Sequence, residues 1–235
     1  MQVKIDALTA AELYVLAGAA GVNYIFGLPE REQLALIEPD CATEAKNSLI
    51  KKGILTVEGK LTRAAYFLTE MLKRYQESKE YVRFNNVLCA FLPEDEERVL
   101  VLTEINKGKE YTFDYLEKRE VYLSIISNVS FLRRRPSEKD RAFLTKPMNP
   151  EEKAEVREMD LDKKEILAVE TFNLASVPSL TNPGFQTTNL YFTKGEDFIC
   201  IDPLQDRYEW VSLYIMNNRI YDALHINFRA GRAMI

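Results

Sequence analysis

Apolar positions in the first eighty residues recur at helical spacing. Thr9-Ala-Ala-Glu12 has the form of a capping box. The helix it starts carries Leu13, Leu16, Ala17 and Ala20 on one face, and Gly21 stops it. Phe26-Gly27-Leu28-Pro29 closes the connection that follows. Glu30 to Ile37 predicts a short helix with Leu34 and Ile37 turned inward, broken by Pro39-Asp40. Ala42 to Lys52 sets Ala45, Leu49 and Ile50 at helical spacing before Gly53, a good residue just past a helix end. Ile54 to Leu61 predicts a small hairpin. Thr62 then caps a long helix through Ala65, Leu68, Met71, Leu72 and Tyr75. Helix, hairpin, helix is the order of a winged-helix unit, an order also used by proteins that bind no DNA.

From Tyr81 the period changes to two. Strands are predicted at Val87–Leu92, along a segment with Val99, Val101, Thr103 and Ile105 on one face, at Tyr111–Tyr115 and at Val121–Ile126. Glu94-Asp-Glu-Glu97 is a charged turn tip, and Ser127 caps a short helix through Phe131 and Leu132. Pro136 to Met159 is a charged connection with helical stretches near Glu138–Leu144 and Pro150–Met159. The strand pattern resumes at Ile166–Phe172, and Ala175 to Thr188 is a long loop. Asn189–Thr193, Phe198–Ile201 and Tyr208–Ile215 follow as strands, then a helix capped by Asn217 or Asn218, with His225 inside it, and a frayed tail from Phe228.

The two strand-rich parts share a weak repeat. Lys107 to Asn128 and Lys194 to Asn217 each begin with a Lys-Gly turn, and with two slips Glu120, Ile126 and Asn128 align with Glu209, Ile215 and Asn217. The expectation is an α+β fold: a pseudo-two-fold antiparallel β-sheet scaffold with flanking helices. Its parts are a helical segment at 1–80, strand-rich halves at 81–135 and 166–228, a charged connection at 136–165 and a tail at 229–235.

Composition narrows the chemistry. The net charge of −5 argues against nucleic acid as the main partner. No apolar run approaches the ~20 residues of a membrane-spanning helix, and no signal peptide is visible at the amino terminus, so a cytoplasmic location is expected. Cys41, Cys89 and Cys200 are odd in number and far apart, which fits buried thiols better than a disulfide framework. A single histidine, His225, leaves little room for a nucleophilic triad or a zinc site. The segment Gly53 to Leu61 has the wrong spacing for a phosphate loop. Arg133-Arg134-Arg135 reads as a favourable helix end. No catalytic or metal-binding residue and no cofactor is expected, and the protein is not expected to be an enzyme. A carboxylate hydrolase finds no spaced acidic pair to support it. Trp210, Tyr208, Tyr214 and Tyr221 cluster in the second repeat, as aromatic residues do in binding interfaces.

The opening Leu8-Thr9-Ala-Ala-Glu12-Leu13-Tyr14-Val15-Leu16, followed by Phe26-Gly27-Leu28-Pro29, resembles the start of EspG-type proteins, cytosolic chaperones of type VII secretion systems. Ala42 to Leu55 with its hairpin and helix is similar to theirs in order, as are two strand-rich halves that each close with a helix. The resemblance implies a divergent member from a low-GC Gram-positive bacterium. It implies a chaperone or adaptor that binds a helical secreted protein or toxin substrate, keeps it soluble and delivers it for export. The candidate contact residues are Asn106, Lys107 and Lys109 on the first Lys-Gly turn, Trp210, and Tyr221 and His225 near the last helix. The alternative is a winged-helix DNA-binding regulator using Lys46, Lys51 and Lys52.

Overall fold

A computed structural model describes residues 7–142, 144–176 and 184–226. It divides into two compact units, Met1–Lys79 with Asn86–Leu116, and Glu80–Asn85 with Glu117–Ile235.

In the first unit a two-residue strand β1 (Leu8–Thr9) runs straight into α1 (Ala10–Ala19). The predicted capping box makes this turn: Thr9 Oγ1 accepts from the Glu12 N–H at 3.2 Å, and Glu12 Oε2 accepts from the Thr9 N–H at 2.7 Å. Helices α2 (Arg31–Ile37), α3 (Cys41–Lys51) and α4 (Arg63–Glu77) follow. Thr62 caps α4 as expected, while the predicted hairpin before it is one isolated bridge between Leu55 and Leu61. The strand β2 (Glu80–Phe84), not separately foreseen, belongs to the second unit. Then come β3 (Val87–Leu92), β4 (Asp95–Asn106) and β5 (Glu110–Glu117). The first unit's strand order is β1-β5-β4-β3. α1 packs on α3 and α4, and α4 packs on β3. Val99 to Leu102 are all buried, so β4 is covered on both faces there rather than on one. Gly27 takes φ +91°, and a Cβ there would sit 2.4 Å from Leu88 Cδ2. Tyr75 Oη and Tyr14 Oη donate to the carbonyls of Phe26 and Pro29 at 2.9 and 3.0 Å. The Phe-Gly-Leu-Pro sequence is therefore a packing motif.

The second unit contains α5 (Lys118–Asn128), α6 (Glu138–Ala142), the short strand β6 (Thr145–Pro147) and α7 (Pro150–Arg157). It continues with β7 (Leu167–Asn173), β8 (Phe185–Lys194), β9 (Asp197–Asp202), β10 (Arg207–Val211) and α8 (Leu213–Ala223). Its strand order is β2-β7-β8-β9-β10-β6, antiparallel at every step.

Several expectations are corrected. Val121–Ile126 is helical, not a strand. Glu117 and Glu120 form a capping box, and Val121 and Ile125 are buried one turn apart while Leu123 is exposed. Tyr208–Ile215 is a strand only to Val211, because Ser212 Oγ accepts from the Ile215 N–H at 3.3 Å and starts α8. The end of the predicted loop, Phe185–Thr188, is the start of β8, and the predicted frayed tail from Phe228 lies outside the described residues. His225 is not inside the last helix but past its end. The long alignment of the repeat fails as well, since Glu120 is helical and Glu209 is in a strand.

A different repeat replaces it. Counting β2, each half runs four strands and then a helix, β2 to α5 and β7 to α8. Each unit also places a short strand beside the last strand of its hairpin series, β1-β5-β4-β3 in one and β6-β10-β9-β8 in the other. Both short strands lead into a helix through a capping box, Thr9 with Glu12 and Asn149 with Glu152.

Asp140 anchors the second unit. It is 4% exposed and accepts from Arg134 Nη1 and Nη2 at 2.7 and 2.9 Å, from the Ser137 N–H at 2.7 Å and from the Leu213 N–H at 2.8 Å. It thus ties the segment after α5 to the first turn of α8. The Arg134 guanidinium also lies 4.1 Å from the centre of the Phe198 ring, so this arginine is structural and not part of an exposed basic run. Burial raises the Asp140 pKa, but Arg134 and the backbone donors outweigh it and hold the carboxyl down to about 2. A depressed carboxylate stabilises the fold above its ordinary value of 3.8, and that contribution is lost as pH falls toward 2. Asp140→Asn should lower the unfolding free energy at pH 7 by about 2 kcal/mol, since it leaves the half-buried Arg134 without its counter-charge. Urea titrations should show the gap between wild type and variant narrowing from pH 4 to pH 2.

Candidate functional site

An open cleft of about 650 Å³ lies within the first unit. One wall is the start of α1, from Thr9 to Glu12. α2 contributes Leu34, Ile37 and Glu38. α3 contributes Cys41, Glu44, Ala45 and Ser48, the i, i+3, i+4, i+7 series of one helix face. The β4–β5 turn closes the rim with Asn106, Gly108, Lys109 and Glu110.

The turn is fixed by its own hydrogen bonds. The Lys109 N–H donates to the Asn106 carbonyl at 2.8 Å, and Gly108 takes φ +70°, a conformation that glycine adopts without steric cost. Glu104 Oε1 accepts from the Gly108 N–H at 2.7 Å and from Tyr111 Oη at 3.5 Å. Burial, with Glu104 beside it, pushes the Tyr111 phenol up to about 12. Asn106 and Lys109 therefore line the cleft on a rigid support, whereas Lys107 is exposed at the tip and is not part of the wall.

α2 differs from expectation in a way that matters. Ile37 is 76% exposed and Leu36 84%, so the predicted inward placement of Ile37 fails. With seven residues and no buried position, α2 holds its apolar side chains out toward solvent beside the cleft. Sequence reasoning took Leu34 and Ile37 for core and passed over Leu36. The signal was present, because Leu34 and Leu36 cannot share a face of so short a helix.

Glu12 was read only as a capping residue. It is 1% exposed, and its Oε2 accepts from Lys52 Nζ at 2.8 Å as well as from the Thr9 N–H. Its Oε1 is buried and has no hydrogen-bond partner among the described residues. Among the described residues, four glutamates, Glu12, Glu38, Glu44 and Glu110, line the cleft against one lysine, Lys109.

The other predicted residues lie in the second unit. Trp210 packs on the cluster of Met148, Val156, Phe192, Ile199 and Ile201 that α7 covers, and its Nε1 donates to Glu152 Oε1 at 3.1 Å. Tyr221 stacks on Tyr122 with ring centres 4.3 Å apart, joining α8 to α5. His225 follows the cap of α8 at φ +52°, where glycine or asparagine is usual. Partial burial lowers its pKa; Glu80 acts against this and Lys118 with it. Glu117-Lys118-Arg119 starts a helix and Tyr208-Glu209-Trp210 lies in a strand, so these stretches of the two repeat copies are not counterparts. Among the described residues no group of three acidic, histidine or cysteine side chains is placed to hold a metal, and no helix is long and apolar enough to cross a membrane.

The protein is thus an α+β chain of antiparallel strands with flanking helices, whose first unit presents an acidic cleft edged by exposed apolar side chains. Residues 2–232 match one family model, and the chain belongs to that family, described as a domain of unknown function (DUF5081). Among curated proteins, none matches the chain.

The thiols give a direct probe of the cleft. Burial pushes Cys89 up to about 12 and Cys200 up to about 11, so neither forms the reactive thiolate near neutral pH. Cys41 is part-exposed in the cleft wall. Iodoacetamide at pH 7.5 should add to Cys41 first, with Cys89 and Cys200 reacting only after denaturation; peptide mass mapping reads the order. Modification of Cys89 or Cys200 at the Cys41 rate would refute the packing described.

Proposed function

We propose that the protein is a cytoplasmic chaperone or adaptor that holds a helical segment of a type VII secretion substrate in the cleft of the first unit. The observation that carries a binding role is α2, whose Ile37 lines an open cleft while staying exposed, with the exposed Leu36 next to it in the helix. Isolated exposed apolar residues are ordinary, but apolar side chains grouped at the rim of a concave surface mark places where proteins bind one another. The hydrogen-bonded β4–β5 turn supplies polar groups to the same cleft through Asn106 and Lys109. The type VII assignment rests on the resemblance of the Leu8–Leu16 and Phe26–Pro29 segments to EspG-type proteins. The finer expectation of an EspG-like pseudo-two-fold scaffold is supported by the strand orders repeated in the two units.

The winged-helix reading keeps its element order in α3, the Leu55–Leu61 bridge and α4. It loses one of its cations, because Lys52 Nζ is taken by Glu12 and by the Ala7 carbonyl, both at 2.8 Å.

Co-expression of the chain with any small helical secreted proteins found encoded beside its gene tests the proposal. At least one should be retained by the chain and kept soluble. The double variant Leu36→Ser/Ile37→Ser should weaken that complex about tenfold or more, as loss of an interface anchor does. It should shift the unfolding free energy by less than about 0.5 kcal/mol, since both side chains are already exposed. Retention of no such protein, or unchanged affinity of the double variant, would sink the proposal. Charge reversal of Lys107 and Lys109 with unchanged binding would remove the turn alone.

A further inference from the structure

The turn between α3 and α4 and the first turns of α4 leave large apolar side chains in solvent. The Thr56 N–H donates to the Lys60 carbonyl and the Gly59 N–H to the Thr56 carbonyl, both at 2.8 Å, which closes a tight turn. Val57, at its tip, is 83% exposed. Thr62 donates through its N–H and Oγ1 to the Ile54 carbonyl at 3.2 and 2.8 Å, so α4 starts from the base of that turn. Tyr66 and Phe67 follow, each 61% exposed. The core face of α4 is complete without them, since Ala65, Leu68, Met71, Leu72 and Tyr75 are all buried. Three exposed apolar side chains on one turn and the helix it starts are more than the scattered single residues of an ordinary surface.

Cations accompany them. Lys46 of α3 lies against the turn, where a Cβ at Gly59 would sit 2.8 Å from its Cε. Lys60 ends the turn, and Arg63 shares a face of α4 with Tyr66 and Phe67 at i+3 and i+4. All three cations are exposed, and none makes an ion pair among the described residues. From Lys46 to Arg63 the sequence has Lys46, Lys51, Lys52, Lys60 and Arg63 against one carboxylate, Glu58, in a chain of net charge −5. Lys52 is taken by Glu12, and Glu58 is held by Thr56 and by its own N–H. Glu70 stands one turn further along the face of Arg63 and Tyr66.

We propose that this surface docks the chain on an anionic lipid bilayer. Val57 and Phe67 enter the boundary between headgroups and acyl chains, Tyr66 sits at headgroup level, and Lys46, Lys60 and Arg63 meet lipid phosphates. The combination of groups decides the occupant. Duplex DNA supplies phosphates but no apolar layer for Val57 and Phe67. A second copy would set the same cations against one another. None of the docking residues lines the cleft, so the proposal stands apart from what the cleft binds.

Flotation of the full chain with vesicles of equal parts phosphatidylglycerol and phosphatidylcholine tests it, with pure phosphatidylcholine as the comparison. At low salt the chain should partition onto the anionic vesicles about tenfold or more in excess of the neutral ones, against the repulsion expected from its overall charge. Val57→Ser/Phe67→Ser should lower that partition about tenfold or more. Its urea midpoint should stay unchanged, because both side chains are already exposed. Lys60→Glu/Arg63→Glu should remove the preference for anionic vesicles. No flotation, equal flotation with both vesicles, or flotation that Val57→Ser/Phe67→Ser leaves intact would overturn the proposal. Salt-sensitive duplex DNA binding without flotation would name nucleic acid instead, and self-association lost in Val57→Ser/Phe67→Ser would name a second copy; either result overturns it.

Discussion

A strand that turns directly into a helix at the edge of a sheet must satisfy the helix's first N–H groups at once, and both units meet this demand with one glutamate three residues into the helix. Glu12 and Glu152 each fix the entry of a helix by accepting from the N–H of the cap residue. β1 and β6 are only two and three residues long. Their few ladder bonds are marginal alone, so the cap and the strand hold each other. The direction of α1, and with it the α3 face and the wall of the cleft, depends on that corner. The same carboxylate therefore sets the architecture of the first unit.

The two units invest their polar groups differently. In the second, Arg219 of α8 reaches Glu209 Oε2 at 3.0 Å and Cys200 Sγ at 3.4 Å, and Asp140 satisfies the first turn of α8. Burial raises the phenol of Tyr191 in the same network. Trp210, an attractive interface residue by composition, is occupied by the capping glutamate of α7. Each unit keeps a buried polar atom without a partner among the described residues, Glu12 Oε1 in the first and Arg134 Nε in the second, and the first also keeps apolar side chains of α2 exposed.

Helices with strong start signals were legible in the sequence. Thr9-Glu12 and Thr62 fixed two helix starts to the residue, and alternation fixed β3, β5, β7 and β9 closely. What failed were short apolar runs in which both periods fit. Val121 to Ile126 alternates well enough for a strand, and only the Glu117–Glu120 box decides for a helix. Ser212 decides the end of β10 in the same way. The cleft was half legible: turn residues Asn106 and Lys109 were identified, since a tight Lys-Gly turn is readable locally. Glu12, Ile37 and Cys41 were not, because a cleft is made by residues far apart in sequence, and no local pattern reports which face of a helix is left uncovered.

The sequence placement of β2 governs the order in which the chain can complete itself during synthesis. Residues 80–85 belong to the second unit, yet they are made between two parts of the first. β2 pairs with β7, so Arg83 meets Glu170 only after a further 87 residues have been added. The first unit has all its strands once Leu116 has left the ribosome, while the β2–β7 pairing must wait for a partner that closes a long loop. Until then the edge of β2 that meets β7 is unpaired in the nascent chain. Neither unit is one continuous stretch of chain, so a truncation that removes residues 117–235 leaves β2 behind without β7.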